Sequence, residues 1–491
     1  MLKNNNAMYA AFKAKDARFD GRFFVGISST GIYCRPVCRA RQPKAENCTF
    51  YSNAAAAEQA GYRPCLLCRP ELAPGSSVME ASANLARRAA RMLEENCGNG
   101  QSLVEIAGRL GCTDRHLRRV FTAEYHVSPV RYLQTCRLLF AKNLLTDTNL
   151  SILDIAMTAG FGSLRRFNDV FKQHYHLPPT ALRKRMPAAK RASNAITLAL
   201  GYRPPYRWDA MLDFLSARVI TGVEVVKNDA YMRTARLITA AGKNVCGWLR
   251  VGHGPQKNVL TVTVSETLLP VLPQILARVR RLFDLHCDPA AVHETLQAMN
   301  TVHPGLCVLG TRVPGCFDAF ETAVRAVLGQ QITVKAAGTL AARVVHAYGT
   351  SVHTEIEGLT HAFPTPRDIL APEGPLENHL GPLGVTATRS RTIHELARHL
   401  AENTINFDPG IPPEETMQKL TAIRGIGSWT AQYIAMRALA WPDAFPETDA
   451  GINKALPGHT PKELLQMAEA WRPWRSYATV NLWNSLNYKE A

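Results

Sequence analysis

The chain has 491 residues, of which 46% are hydrophobic and 8% aromatic, and its 57 Lys and Arg against 40 Asp and Glu give a formal charge of +17. That length suggests about three domains, and the apolar content is enough to build cores, so a disordered or low-complexity polymer is excluded. No run of 18 apolar residues occurs, and Met1 to Tyr9 offers Lys3 and three Asn where a secretory signal needs an apolar stretch; the sequence reads as a cytoplasmic chain with no membrane partner.

Charge is concentrated near the start: residues 1–190 hold 28 Lys/Arg and 14 Asp/Glu, against 29 and 26 in residues 191–491. A basic segment gains affinity for nucleic acid by releasing condensed counterions, whatever the base sequence. A solvated basic surface is the alternative on charge alone. In chain order, residues 1 to about 75 are short and turn-rich and end in RPELAPGSS, whose Pro and Gly mark a linker. This stretch holds Cys34, Cys38, Cys65 and Cys68 as CRPVC and CLLC, separated by a loop of 26 residues. In a reduced cytosol, paired cysteines at that spacing point to one tetrahedral Zn²⁺, and a domain this small needs such a staple. A purely structural site is the common meaning of such pairs. The other eight cysteines stand singly and read as small buried hydrophobes.

From about residue 80 the apolar spacing becomes helical, and an internal repeat appears: SLVEIAGRLG at 102–111 recurs as SILDIAMTAG at 151–160. Each copy ends at Gly (Gly111, Gly160), continues into an Arg-rich segment and closes on an apolar anchor, Val120-Phe121 or Val170-Phe171. This is the pattern of a tandem helix-turn-helix. Arg115, Arg118 and Arg119 in one copy, and Arg165 and Arg166 in the other, fall where recognition helices enter the major groove; phosphate contact or plain solvation is the competing role for each. PAAKRASNA at 187–195 reads as a second linker. Beyond it, LTVTVSET and ARVITGVEVV predict strands, with helices at 209–217 and 270–283; from about 290 the pattern is helical with Pro and Gly breaks. LTAIRGIGSWTAQYIA at 420–435 predicts a helix, a Gly-Ile-Gly hairpin and a second helix. Gly425 and Gly427 would permit positive φ there and let backbone N–H groups face a phosphate. The fold class is therefore multidomain, mainly α with α+β, divided as 1–78 (zinc), 79–190 (tandem helix-turn-helix), 196–285 (α+β lobe) and 286–491 (helical lobe).

Three resemblances add to this reading. TGIYCRPVCRARQPKAENCTFY and AAGYRPCLLCRP, within residues 8–75, closely match the N-terminal domain of the bacterial adaptive-response protein Ada. That match implies that Cys34 accepts a methyl group from a DNA methylphosphotriester while Cys38, Cys65 and Cys68 complete the zinc site, with Arg35, Arg39, Arg41, Arg63 and Arg69 drawing in the DNA backbone. Ada's C-terminal Pro-Cys-His-Arg motif is missing here, so repair of O6-methylguanine is not expected. The repeat, with its closing Ser128-Pro129 and Pro178-Pro179, is similar to the AraC-type DNA-binding domain of transcription activators, which implies RNA polymerase as a partner. From about Tyr202 onward the chain resembles bacterial 3-methyladenine DNA glycosylase II, a helix-hairpin-helix enzyme.

That last resemblance implies that Asp449, in FPETDAG 22 residues after Gly427, stabilises the oxocarbenium-like sugar as the N-glycosidic bond breaks. Trp429, Tyr433 and Trp483 would wall a pocket that favours cationic alkylated bases. Gln331 would stand at the wedge position held by Leu in the family, which puts the strength of wedging in doubt. Trp429 takes the place of the Schiff-base Lys of strand-cutting relatives, implying a monofunctional enzyme, and no cysteine follows Cys316 to hold an iron–sulfur cluster. The combination implies a bacterial, nucleoid-associated protein acting on alkylated and promoter DNA. Its rivals are a regulator whose second half is only a DNA clamp, and a repair enzyme whose zinc domain merely adds affinity.

Overall fold

A computed structural model of the chain describes residues 5–487 apart from 17–18, 21–22, 52–53, 69, 71–77, 99–100, 185–194, 240 and 408–410. Arg69 and most of both expected linkers lie outside the described residues. Internal packing divides the chain into two compact units, Met1–Met92 with Leu103–Tyr132, and Leu93–Ser102 with Leu133–Ala491.

The first unit opens with helix α1 (Asn5–Lys13) and a four-stranded sheet in the order β3-β1-β2-β4, made of β1 (Phe24–Ile27), β2 (Ile32–Cys34), β3 (Cys48–Tyr51) and β4 (Arg63–Pro64), with α2 (Ala54–Gln59) before the last strand. All four residues of β1 are buried because Phe24 packs edge-on to Tyr33 on one face while Val25 and Ile27 join Phe23 and three of the cysteines on the other. Helix α3 (Val78–Glu95) follows, then α4 (Leu103–Arg109), α5 (Asp114–Tyr125) and α6 (Pro129–Asp147); α3 and α6 contribute residues to both units.

The second unit continues with α7 (Ile152–Thr158), α8 (Leu164–Tyr175) and α9 (Pro179–Lys184), and then an antiparallel five-stranded sheet in the order β5-β9-β8-β7-β6. Its strands are β5 (Ala195–Gly201), β6 (Glu224–Lys227), β7 (Ala230–Ile238), β8 (Asn244–Gly254) and β9 (Val259–Ser265), with α10 (Trp208–Ser216) after β5 and α11 (Leu272–Leu282) after β9. Strand β5 shows why alternation predicts a strand: Ile196, Leu198 and Leu200 are buried while Thr197, Ala199 and Gly201 face out. In ARVITGVEVV only the second half is a strand, because Ala217–Val219 turn the chain out of α10 and Gly222 adopts φ +92°. One apolar core joins this sheet to α7 and α8, with Phe161, Phe167 and Phe171 in the same cluster as Ile196, Val262 and Phe283.

The helical lobe comprises α12 (Pro289–Leu296), α13 (Ala319–Leu328), α14 (Val334–Tyr348), α15 (Pro366–Leu370), α16 (Leu376–Leu380), α17 (Ala387–Ala401), α18 (Pro413–Ala422), α19 (Ser428–Arg437), α20 (Ala450–Ala455), α21 (Pro461–Ala468) and α22 (Arg475–Asn487). A buried ionic network fastens it to the sheet: Arg233 reaches Glu321 at 2.6 Å, and Arg325 reaches Glu224 at 3.1 Å and Glu321 at 3.2 Å. Burial alone would push the Glu224 carboxyl up, but the Arg325 and Arg233 guanidiniums hold it below its ordinary range. No helix among the described residues is long and apolar enough to cross a membrane.

Candidate functional site

Strand pairing assembles the cysteine cluster. Strand β2 ends on Cys34, β4 runs parallel to it with Tyr33 opposite Pro64, and Cys65 N–H donates to Tyr33 O at 3.0 Å, so the first and third cysteines arrive side by side. All four sulfurs lie within 4.8 Å of one another, with Cys34, Cys38 and Cys65 buried and Cys68 half-buried. A tetrahedral ion with Zn–S bonds near 2.3 Å needs S···S separations of roughly 3.8 Å, which this cluster can meet. The thiols also compete for charge: hydrogen bonds with Cys38 and Cys68 push Cys34 far up, while the hydrogen bond with Cys34 drives Cys38 down to about 2. A dication is what allows four thiolates to coexist at this range, and the set fits one Zn²⁺. Arg39, Arg41 and Arg63 are exposed beside it. Arg35 is tied to Asp20 and donates to Cys68 O at 3.2 Å.

The two helix-turn-helix copies match residue for residue. Gly111 and Gly160 adopt φ +70° and +80°, Thr113 and Ser163 cap α5 and α8 by accepting the N–H of His116 and Arg166 at 3.2 Å, and His126 and His176 close those helices at φ 56°. Phe121 stacks on Tyr125 at 4.7 Å as Phe171 packs on Tyr175 at 4.5 Å. Arg115, Arg165 and Arg166 are exposed; Arg118 is exposed but paired with Asp114 at 3.0 Å, and Arg119 contacts His116 Nδ1 at 3.2 Å.

A cleft of about 1140 Å³ in the second unit gathers Gln331, Trp429, Tyr433, Asp449 and Trp483. Asp449 is the N-cap of α20 and 8% exposed. Four N–H donors fix its carboxylate: Gly451 N at 2.8 Å, Ile452 N at 3.2 Å and Trp483 Nε1 at 2.8 Å on Oδ1, and Trp429 Nε1 at 2.9 Å on Oδ2. Gly451 has to be glycine, since a Cβ there would sit 2.6 Å from Trp483 Cδ1 and 3.0 Å from Asp449 Oδ1. Trp429 stacks on Tyr433 at 5.4 Å, and Tyr433 lies 6.4 Å from Trp483. The Tyr433 hydroxyl accepts Arg437 Nη1 at 2.6 Å; burial would push it up, but Arg437, Arg218 and Arg325 together lower it. Gln331 is exposed at φ 56° on the turn between α13 and α14, at the rim of the cleft.

The hairpin joins α18 to α19 with Ile423 and Ile426 buried beneath it. Only one of its glycines meets the expectation of positive φ. Gly425 adopts +96°, and a Cβ there would collide with Thr392 Oγ1, whereas Gly427 sits at φ −88° with open space around it and serves as the N-cap of α19. Sequence reasoning missed the clamp on this turn: Gln330 Nε2 donates to Gly425 O at 2.8 Å, and Arg389 donates to Gln330 O. Its only sequence signal was that Gln330 adjoins Gln331.

Four family models match the chain: the metal binding domain of Ada over residues 7–71, a helix-turn-helix domain over 106–185, the AlkA N-terminal domain over 197–318, and the HhH-GPD superfamily base excision DNA repair protein over 324–469. DNA-3-methyladenine glycosylase 2 of Escherichia coli is 37% identical over 284 residues, covering 58% of this chain and 95% of the relative. The bifunctional transcriptional activator/DNA repair enzyme Ada of Escherichia coli is 36% identical over 124 residues, 25% of this chain and 34% of the relative. The cysteine cluster is thus an Ada-type zinc site, and both halves are DNA-binding. A probable bifunctional transcriptional activator/DNA repair enzyme AlkA of Mycobacterium tuberculosis is 38% identical over 494 residues, covering 98% of this chain and 96% of the relative. With a match of that extent, the chain belongs to the AlkA-type family of bifunctional transcriptional activators and DNA repair enzymes.

Proposed function

We propose that the chain senses and repairs alkylated DNA with one polypeptide, divided as 1–78, 79–190, 196–285 and 286–491. The second half is a DNA-3-methyladenine-type glycosylase. The observation that carries this is Asp449, whose carboxylate four N–H donors aim into a cleft walled by Trp429, Tyr433 and Trp483. A fixed negative charge lowers the barrier to a sugar that becomes positive as the base departs. Electron-rich rings hold a cationic base, and Gln331 at the rim fills the gap left by the flipped nucleotide. With Trp429 in place of a Schiff-base amine, water takes the sugar carbon and the strand stays intact.

In the first half, zinc supplies the charge compensation that lets four thiolates share one site. Cys34 Sγ attacks the methyl carbon of a phosphotriester; the S–C bond forms, the C–O bond breaks, and the phosphodiester regains its negative charge. The sulfur loses one negative charge in the exchange, so affinity for the polyanion rises and the helix-turn-helix pair engages a promoter, where RNA polymerase is recruited.

The decisive experiment is base release from N-methylated duplex DNA by the purified full chain. Asp449→Asn is expected to lower the rate by about 100-fold or more while duplex binding is kept. Undiminished release by that variant would instead make the second half a DNA clamp.

A further inference from the structure

The floor of the base cleft holds more positive charge than a receptor for cationic bases needs. Arg218, Arg325 and Arg437 all face the Tyr433 hydroxyl. Two of the three are committed elsewhere: Arg325 to Glu224 and Glu321, and Arg437 to Gly315 O at 3.0 Å and to Tyr433. Arg218 is different. It lines the cleft beside Asp449 and Trp483, its guanidinium lies 3.8 Å from the centre of the Phe214 ring, and Phe214 stacks on Trp483 at 6.0 Å and 20°. Its hydrogen bonds go to Phe214 O at 3.3 Å and to the Tyr433 hydroxyl, and among the described residues no carboxylate pairs with it. Burial pushes its basicity down, so this cation is kept desolvated with N–H donors to spare.

A base that is already cationic leaves as a neutral molecule and gains nothing from such a donor. An uncharged base is the opposite case: the electron pair of the C1′–N bond stays on the base, which departs as an anion. Resting on the glycosylase reading, we propose that Arg218, with the Tyr433 hydroxyl beside it, donates hydrogen bonds to the departing base and so determines how well uncharged lesions are excised relative to cationic ones. The step balances as a hydrolysis: C1′–N breaks, water adds its oxygen to C1′, and the proton that water loses ends on the base. Because Tyr433 accepts from both Arg437 and Arg218, its own O–H stays available to the base.

The test uses the full chain and two duplexes, one carrying hypoxanthine and one 7-methylguanine, with base release measured under single-turnover conditions. Arg218→Met keeps an apolar stem against Phe214 and removes the donors. Hydrogen bonds to a charged partner predict that its ratio of hypoxanthine to 7-methylguanine release falls by about 10- to 100-fold, that Arg218→Lys recovers part of the ratio, and that Tyr433→Phe moves it in the same direction. Equal losses on both duplexes would mark Arg218 as structural and overturn the proposal, as would wild-type protein that releases 7-methylguanine but no hypoxanthine. Wild-type protein inactive on both would overturn the glycosylase reading itself.

Discussion

Cys34 is only 2% exposed, at the end of a strand where it faces Val25 across the sheet. A methyl carbon reaches its sulfur only if the Cys34–Cys38 turn opens as DNA binds. Two of its neighbours are tempered as nucleophiles by backbone N–H donors, Cys68 by Arg35 at 3.4 Å and Cys38 by Ala40, whereas the hydrogen bonds that most shift Cys34 come from Cys38 and Cys68 themselves. Incubation with methylphosphotriester duplex is therefore expected to add one methyl, mapped by mass spectrometry to the Cys34 peptide and lost in Cys34→Ala. A methyl on half-buried Cys68 would reassign the acceptor. The ligand set was legible from the spacing of CRPVC and CLLC, because adjacent residues in a turn must share a metal. The choice of acceptor came from resemblance alone, and its burial could not be read, since β1 and β4 supply it from other parts of the chain. For the same reason Gly451, Gln330 and Arg218 escaped notice: each matters through a partner on a different element.

Among the elements, the tandem helix-turn-helix was the most legible, because a repeat displays its caps twice. The structure separates cations that look alike in sequence. Arg165 and Arg166 stand free on α8, while Arg118 on α5 already spends its charge on Asp114 at 3.0 Å. Replacing Arg165 and Arg166 with Ala is expected to lower the salt slope of duplex binding by up to about 2, against less than about 1 for Arg118→Ala. Fluorescence anisotropy across a salt series measures both; equal slopes would remove α8 from the interface. The hairpin was legible as a turn but not in detail. Two glycines in one motif invite the same explanation, yet only Gly425, pressed against Thr392, needs the left-handed conformation.

Over the whole molecule, the linker composition at 187–195 suggests that regulator and enzyme are separate cassettes, and the packing contradicts that simplicity. The second helix-turn-helix shares a core with the five-stranded sheet, Arg281 reaches Glu95 at 3.1 Å, and a Cβ on Gly98 would meet Pro273 Cγ at 2.8 Å. A fragment of residues 195–491 uncovers that apolar face, so its melting temperature is expected to fall on the order of 5 °C below the corresponding transition of the full chain, by calorimetry. An unchanged transition would show the contact to be energetically idle. If the contact does hold, Phe167, fully buried at the seam, belongs to repair as much as to regulation: a lesion in one half of the gene would weaken the other, and selection would see the alarm and the remedy as a single heritable trait.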